Sequence, residues 1–154
     1  MCIRDSQEIV LTGIHIASYG KEKNDIGLFE LMAELQHIPG VERIRIGSLE
    51  QNIIGENFNG AVSVVPKLCP HFHLSLQSGS SSVLRRMNRK YDADEYFEKV
   101  KIIRNYFPDA SITTDIIVGF PGETDEEFNE TLSFVKKVQS VSYTHLTLPT
   151  KRIV

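Results

Sequence analysis

Hydrophobic and polar positions follow two different periods along this chain, and the two periods alternate. Short apolar or alternating runs predict four strands, at residues 8–16, 41–46, 72–76 and 112–118. Apolar residues at every third or fourth position predict helices between and after these strands, at residues 25–35, 53–65, 80–87 and 92–107 and from 124 onward. Strands that alternate with helices are typical of βα units on a parallel sheet, which places the chain in the α/β class.

Three helix starts carry recognisable caps. Asp25 is the predicted cap of the first helix, whose apolar face carries Leu28, Leu31, Met32 and Leu35. Asp92 and Glu95 form a predicted capping box, in which each residue satisfies a backbone donor of the other, before a stripe of Tyr96, Val100, Ile103 and Phe107. Thr124 and Glu127 form a second box, and the predicted buried stripe that follows is Phe128, Leu132 and Val135.

Several of the strands alternate polar and apolar side chains, although a parallel strand covered on both faces is apolar throughout. The polar positions are Arg43 and Arg45, His71 and His73, and Thr113 and Asp115. One face of the sheet is therefore predicted to be solvated and to line a cavity, as the inside of an open or incomplete βα barrel would. A filled eight-stranded barrel fits less well, because bulky aliphatic side chains occupy its interior.

The carboxyl ends of the predicted strands share one composition. Ligands of parallel sheets gather at this edge. Every end carries glycine and three carry serine or threonine; the segments are Thr12-Gly13, Gly47-Ser48-Leu49-Glu50, Gln77-Ser78-Gly79-Ser80 and Gly119-Phe120-Pro121-Gly122. This coincidence favours a ligand site over ordinary turns, although glycine is common at strand ends in any case.

The last of these segments, 119–122, joins a buried strand to the helix that begins after Thr124. A glycine turn at a helix N-terminus could bind phosphate through its backbone N–H groups. Four acidic residues already place negative charge there: Glu123, Asp125, Glu126 and Glu127. The residues therefore favour a turn whose backbone lies against a neutral, flat ligand, and an ordinary βα turn is the alternative.

Composition limits the class of protein. The 154 residues, 41% apolar and 24% charged, are typical of one globular domain without a membrane span or secretory signal, so we expect a cytoplasmic protein that does not contact membranes. The net charge of −3 means that any RNA contact must be local. Beyond Cys2 the sequence has Cys69 alone, which excludes a disulfide framework and a cysteine-only metal site within this segment.

The two ends of the chain encode one DNA sequence in opposite directions. Residues 1–5 can be spelled ATG TGT ATA AGA GAC, and the reverse complement of that string translates as residues 141–145. The string resembles a transposon end used in sequencing-library preparation, and chance is the alternative explanation. We therefore interpret residues 1–6 and 141–154 as adapter-derived, and residues 7–140 as the protein segment to which the fold applies.

Four segments, in this order, resemble the radical S-adenosylmethionine (radical SAM) methylthiotransferases: LTGIHIASYG, RIRIGSLE, LCPHFHLSLQSGSSSVLRRMNRKY and TDIIVGFPGET. The sequences of the segments LTGIHIASYG and GSLE favour the branch that modifies threonylcarbamoyladenosine in transfer RNA over the isopentenyladenosine and ribosomal-protein branches. The resemblance implies that residues 7–140 are the central part of a radical SAM core domain. The implied fold is a partial (β/α) barrel of about four parallel strands with covering helices.

The reaction of the family replaces a C–H of the adenine ring beside the anticodon with a methylthio group. Its cofactors are S-adenosylmethionine and 4Fe-4S clusters, and its partners are transfer RNA and an electron donor for cluster reduction. In this family a three-cysteine loop precedes the first strand seen here and holds the radical cluster, and this chain does not contain it. We therefore expect the chain to be a fragment of the enzyme, inactive by itself.

The resemblance also assigns cofactor-binding residues to the strand ends. Thr12 and Gly13 look like the segment near the amino and carboxylate groups of S-adenosylmethionine, and Ser48 and Glu50 face the same cavity. Gln77 and Ser78 resemble the polar pair near the ribose and methionine part. The turn of Gly119, Phe120, Pro121 and Gly122 looks like the one whose backbone meets the adenine. No residue of this chain is assigned a catalytic or metal-binding role.

The remaining polar residues have simpler interpretations. His71 and His73 could ligate a metal, but hydrogen-bonded histidines lining the cavity are favoured because no carboxylate or thiol lies at a suitable spacing. Asp115 either orients a ligand or satisfies donors of a neighbouring strand. Cys69 is interpreted as a semi-buried structural thiol. Gln51 stands where the family has proline, and we expect this change to have little effect.

A local basic cluster, defined as Arg85, Arg86, Arg89 and Lys90, surrounds Met87. It is either a solvated helix face or a contact to the transfer RNA backbone in the intact enzyme. Two other classes of protein also stay open. One is a different radical SAM enzyme with a similar half barrel, and the other is a non-catalytic RNA-binding or interaction module with native ends.

Overall fold

The computed structural model describes residues 6–13, 15–20, 26–139 and 142–147. Six strands and five α-helices follow one another in these ranges: β1 Glu8–Leu11, α1 Leu28–Leu35, β2 Arg43–Ile46, β3 Ser48–Leu49, α2 Glu56–Ser63, β4 His71–Leu74, α3 Ser81–Arg86, α4 Ala93–Tyr106, β5 Ser111–Val118, α5 Asp125–Val138 and β6 Ser142–Thr147. Two single-turn 3₁₀ helices, Ile16–Ser18 and Gln51–Ile53, lie in the loops after β1 and β3.

All the strand pairings are parallel. One sheet has the order β1-β2 and the other the order β3-β4-β5-β6. Ile44 of β2 links the two sheets, because its backbone N–H donates to Lys67 and its carbonyl accepts from Cys69, just before β4. Parallel strands joined by helices confirm the α/β class and the partial barrel.

The core lies between the sheet and its covering helices. Strands β2, β4 and β5 contribute alternate apolar side chains, among them Ile44, Ile46, Phe72, Leu74, Ile112 and Ile116, all at most 2% exposed. On the helix side, α4 buries its predicted stripe completely at Tyr96, Val100 and Ile103, and the Phe107 ring packs 5.1 Å from that of Phe72. The polar strand positions are partly or fully exposed on the opposite face, as predicted.

Both predicted capping boxes are present. The Asp92 carboxylate accepts from the Glu95 N–H at 2.9 Å, and the Glu95 carboxylate accepts from the Asp92 N–H at the same distance. Thr124 and Glu127 make the equivalent pair of bonds at 3.3 and 3.0 Å. The predicted starts of α4 and α5 are therefore confirmed.

The buried face of α5 differs in part from the predicted one. Val135 is buried as predicted and Leu132 is partly buried, whereas Phe128 is 36% exposed. The helix also buries Thr131, Phe134 and Val138. The prediction for Phe128 was wrong because the loop after β4 packs on the Thr131 and Phe134 side of the helix.

Several predicted boundaries shift. The first strand ends at Leu11 instead of continuing to residue 16, and the chain forms the 3₁₀ helix at Ile16–Ser18. Helix α1 begins at Leu28 after Gly27, and Asp25, its predicted cap, lies outside the described residues. The predicted helix at residues 53–65 is shorter, since α2 covers Glu56–Ser63 alone.

The backbone of β6 pairs in parallel with Thr113–Val118 of β5. This strand falls within residues 141–154, the segment interpreted as adapter-derived. Strand pairing uses backbone groups, so it forms irrespective of the origin of the DNA that encodes the strand. The adapter interpretation therefore stays a prediction.

Across the described ranges, no helix combines the length and the apolar character that a membrane span requires.

Candidate functional site

The loops that follow the strands meet at the carboxyl edge of the sheets. The N–H of Gly47 donates to the carbonyl of Leu11 at 2.7 Å, which joins the loop after β2 to the loop after β1. The side chain of Gln51 donates to the carbonyl of Ser75 at 3.1 Å, which joins the next loop to the end of β4. Thr12, Gly13 and Ser48 are exposed at this edge. The predicted residues of the first two loops are thus brought together on one open surface.

Glu50 is held by two neighbours. One carboxylate oxygen is bonded to Nδ1 of His15, and the other accepts from the Asn52 amide at 3.1 Å. His15 was not among the predicted residues, because it lies in a segment predicted as strand. These contacts fix a partly exposed carboxylate at the site, where it can accept hydrogen bonds from an amino group of a ligand.

Gln51 is buried in the loop after β3. Its side chain is only 9% exposed, and its amide oxygen is buried without a hydrogen-bond partner. The amide nitrogen makes the bond to Ser75 that connects two loops of the site. Proline would remove this connection, and the expectation that the change has little effect stays a prediction.

Gln77 has an unusual backbone at the end of β4. Its φ of 74° lies in the left-handed region, which costs energy for a residue other than glycine. The conformation is held by β5: the Gln77 N–H donates to Asp115 and its carbonyl accepts from Ile117, both at 2.9 Å. Such strain is typical of ligand-binding positions, and the partly exposed Gln77 side chain lies at the predicted edge.

Ser78 lies on the far side of this loop, against α5. Its hydroxyl is fully buried, lies 3.1 Å from the hydroxyl of Thr131 and accepts from the N–H of Ser80. The N–H of Gly79 also donates to the Thr131 hydroxyl. The Ser78 hydroxyl therefore holds the loop onto the helix, and its expected place near the ribose and methionine part of the ligand stays a prediction.

The turn 119–122 is closed by the carboxylate of Glu123. One oxygen of Glu123 accepts from the N–H groups of Gly119 and Phe120, at 2.6 and 3.1 Å. Gly119 and Gly122 have φ values of 72° and 77°, which glycine adopts without strain. Because a carboxylate already uses these two donors, the geometry supports the argument against a phosphate site. The turn's exposed outer face remains accessible to a flat ligand.

The polar face behind these loops is a hydrogen-bonded network. His73 is bonded through Nδ1 to the Thr113 hydroxyl at 3.0 Å and lies 3.3 Å from Asp115 through Nε2. Burial, together with nearby Arg45 and His73, lowers the pKa of His71, whose Nδ1 is buried without a partner. No three potential metal ligands come together within the described residues. His73 thus fits the favoured interpretation, and the Asp115 carboxylate lies within ion-pair distance of it.

One member of the basic cluster, Arg86, forms an ion pair with Glu127. Arg86 donates to both oxygens of Glu127 at 2.8 and 2.6 Å, and to the carbonyl of Gly122 at 3.2 Å. The bidentate contact raises the pKa of Arg86 and, with hydrogen bonds from Ser82 and Thr124, lowers the pKa of Glu127 to about 2. Arg86 is therefore held in an ion pair although its side chain is 39% exposed, and Arg85, Arg89 and Lys90 are exposed as well. Contact of the basic cluster with RNA stays a prediction.

Comparison with known proteins places these features in context. The model of the radical SAM superfamily matches residues 14–135. The threonylcarbamoyladenosine tRNA methylthiotransferase MtaB of Thermotoga maritima is 44% identical over 139 residues, which cover 90% of this chain and 32% of that protein. The tRNA-2-methylthio-N(6)-dimethylallyladenosine synthase of Clostridium tetani is also 44% identical, over 134 residues that cover 86% of this chain and 30% of that protein. The chain thus spans about a third of the length of these relatives.

A solved structure shares the fold. Coproporphyrinogen III oxidase of Escherichia coli, described as a radical SAM enzyme, superposes with a TM-score of 0.70 at 20% identity. The match covers 94% of this chain and 33% of that one. The arrangement of parallel strands and helices is therefore the one found in that enzyme.

Proposed function

Because the chain belongs to the radical SAM superfamily, we propose that it forms part of the S-adenosylmethionine-binding wall of a methylthiotransferase that modifies transfer RNA. The observation that carries this proposal is the meeting of four polar, glycine-containing loops at the carboxyl edge of a parallel sheet with a solvated face. The similarity to two kinds of transfer RNA methylthiotransferase supports the reaction class.

The residues at this edge fit S-adenosylmethionine chemically. Glu50 offers a fixed carboxylate to the ligand's amino group, and the exposed Thr12-Gly13 segment lies on the same surface. Gln77 offers an amide to neutral ribose oxygens without the desolvation cost of a charge. The turn 119–122 offers an uncharged backbone surface to the adenine. When bound and cleaved by one electron with release of methionine, S-adenosylmethionine would supply the means to remove a hydrogen atom from the substrate, so an electron donor is a proposed partner.

The described residues do not fit a 4Fe-4S cluster. Such a cluster is held by several cysteine thiolates, and within the described ranges Cys69 is the free cysteine. Cys69 also lies before β4, at the opposite end of the strand from the candidate site. No step of the reaction is therefore assigned to a cluster bound by these residues.

We further propose threonylcarbamoyladenosine in transfer RNA as the substrate. The LTGIHIASYG and GSLE segments support this choice, while the relatives of the two branches are equally similar at 44% identity. Dimethylallyladenosine in transfer RNA is the competing substrate, since the second relative is named for it.

The test uses the complete enzyme encoded by the intact gene, with its clusters reconstituted. It is incubated with S-adenosylmethionine, a reductant and transfer RNA that carries either threonylcarbamoyladenosine or isopentenyladenosine, and the nucleosides are separated by mass. We expect the mass of a methylthio group to appear on threonylcarbamoyladenosine alone. Its appearance on isopentenyladenosine would overturn the substrate assignment, and its absence from both would overturn the reaction class.

A further inference from the structure

Two loops of the candidate site are attached to the same helix. Ser78 and Gly79, which follow Gln77, bond to Thr131 of α5, while the turn 119–122 is joined to α5 through Glu123 and the cap Thr124. Gly79 packs so closely that a Cβ there would lie 2.7 Å from Cβ of Phe134. Helix α5 therefore holds the Gln77 loop together with the two backbone bonds from β5. The attachment of the turn to α5 then contributes to the spacing of the two loops.

Arg86 and Glu127 supply that second attachment. Glu127 accepts hydrogen bonds from both guanidinium N–H groups of Arg86, from the hydroxyl of Ser82 and from the N–H of Thr124. The Glu127 side chain is 14% exposed, so this carboxylate is largely enclosed by its donors. Ser82 and Arg86 are four residues apart and thus on one face of α3, which is thereby joined to the start of α5.

Arg86 also reaches the turn itself. Its second terminal nitrogen, which bonds Glu127, donates to the Gly122 carbonyl as well. We propose that Arg86 is a positioning residue: anchored by Glu127, it holds the turn 119–122 at a fixed distance from the Gln77 loop. The adenine and ribose parts of one ligand molecule can then be contacted together. This inference rests on the proposed function, in that S-adenosylmethionine is taken as the ligand.

The role separates Arg86 from its basic neighbours. Arg85 is exposed on the same helix and differs from Arg86 by one position, which turns its side chain away by about 100° on a helix. A planar, bidentate guanidinium is needed for the contact, and an ammonium can replace it only in part. These two facts define the matched variants.

The test compares Arg86→Ala, Arg86→Lys, Glu127→Gln and the control Arg85→Ala in the 154-residue chain. Glu127→Gln removes the charge but keeps a side chain that can complete the capping box with Thr124. Amide hydrogen exchange is measured at Gly119, Phe120 and Glu123 in the turn and, for comparison, along α4. Affinity for S-adenosylmethionine is measured by equilibrium dialysis on the same samples.

We expect Arg86→Ala and Glu127→Gln to speed exchange at the turn amides about two- to fivefold, the range that corresponds to loss of an exposed ion pair, and to weaken ligand binding by a similar factor. Arg86→Lys should fall between these variants and the wild type. Arg85→Ala and the α4 amides should be unchanged. If Arg86→Ala does not fold, Arg86→Lys and Glu127→Gln decide.

Unchanged exchange at the turn in both Arg86→Ala and Glu127→Gln would overturn the proposal. So would faster exchange that extends equally through α4, which would indicate general loss of stability. Faster turn exchange in a chain that does not bind S-adenosylmethionine would contradict the proposed function and leave the positioning role standing. Normal ligand binding by Arg86→Ala would contradict the positioning role and leave the proposed function standing.

Discussion

Replacing Gly79 with alanine should destabilise the protein through steric conflict alone. A Cβ at this position would lie 2.7 Å from Cβ of Phe134 and 2.8 Å from Cα of Thr131. Neither atom is the end of a flexible side chain, so the conflict cannot be relieved by a rotamer change. Ordinary contact begins at 3.4 Å, which means that α5 and the loop must separate by about 0.7 Å.

The size of the effect follows from comparable overpacking. Forced separation of packed elements costs about 1–3 kcal/mol, and we expect the upper half of this range because backbone must move on both sides. Gly60 provides the matched control. It lies inside α2, and its added Cβ would meet the Tyr106 ring at 3.6 Å, which is ordinary contact. Gly60→Ala should therefore stabilise the protein, by about 0.5–1 kcal/mol, through helix propensity.

Urea denaturation of the two variants and the wild type, followed by circular dichroism, measures both changes. The midpoint should fall for Gly79→Ala and rise for Gly60→Ala. A Gly79→Ala midpoint equal to or above that of the wild type would refute the close packing of this loop on α5. A fall for both variants would show that alanine is tolerated at neither site and would leave the steric argument without its control.

Three further outcomes are expected. Tyr96→Phe removes the bond from the buried hydroxyl to the Leu74 carbonyl, but Thr114 still donates to that carbonyl, so urea denaturation should show a loss of only about 0.5–1 kcal/mol. The lowered pKa of Glu127 stabilises the folded state above pH 4.5, so thermal melts should show stability falling as pH drops from 4.5 towards 2. Arg86→Ala should reduce this pH dependence. An Arg86→Ala profile identical to that of the wild type would contradict Arg86 as the cause of the lowered pKa. In the complete enzyme, charge reversal of Arg85 and Lys90 should weaken transfer RNA binding and lower the slope of log affinity against log salt concentration by about 1–2. Unchanged binding would indicate that these residues form a solvated helix face.

Local signals in the sequence predicted the helix starts well. The capping boxes at Asp92 and Thr124 depend on residues three positions apart, so they are visible without knowledge of the fold. The alternation of polar and apolar residues in β4 and β5 similarly predicted which face of the sheet is solvated, because strand side chains point to opposite faces in turn.

Contacts between distant segments could not be predicted in the same way. Phe128 and Phe134 both lie on apolar spacings of α5, and the approach of Gly79, 52 residues before Thr131, decides which of them is buried. Arg86 and Glu127 are 41 residues apart, so their pairing leaves no periodic signal. The sequence alone therefore groups Arg86 with its three basic neighbours and does not show that Arg86 has an acidic partner. The buried Gln51 was missed for the same reason, since its partner is 24 residues away.

We propose that the strand-end loops form a wall of an S-adenosylmethionine site. An amide chemical-shift titration of the 154-residue chain with S-adenosylmethionine tests this directly, since it detects weak binding residue by residue. We expect shifts concentrated at Gly13, Glu50, Gln77 and the turn 119–122, with the α2 amides unaffected. Saturable shifts concentrated elsewhere, or no shift at these four places at millimolar ligand, would contradict it.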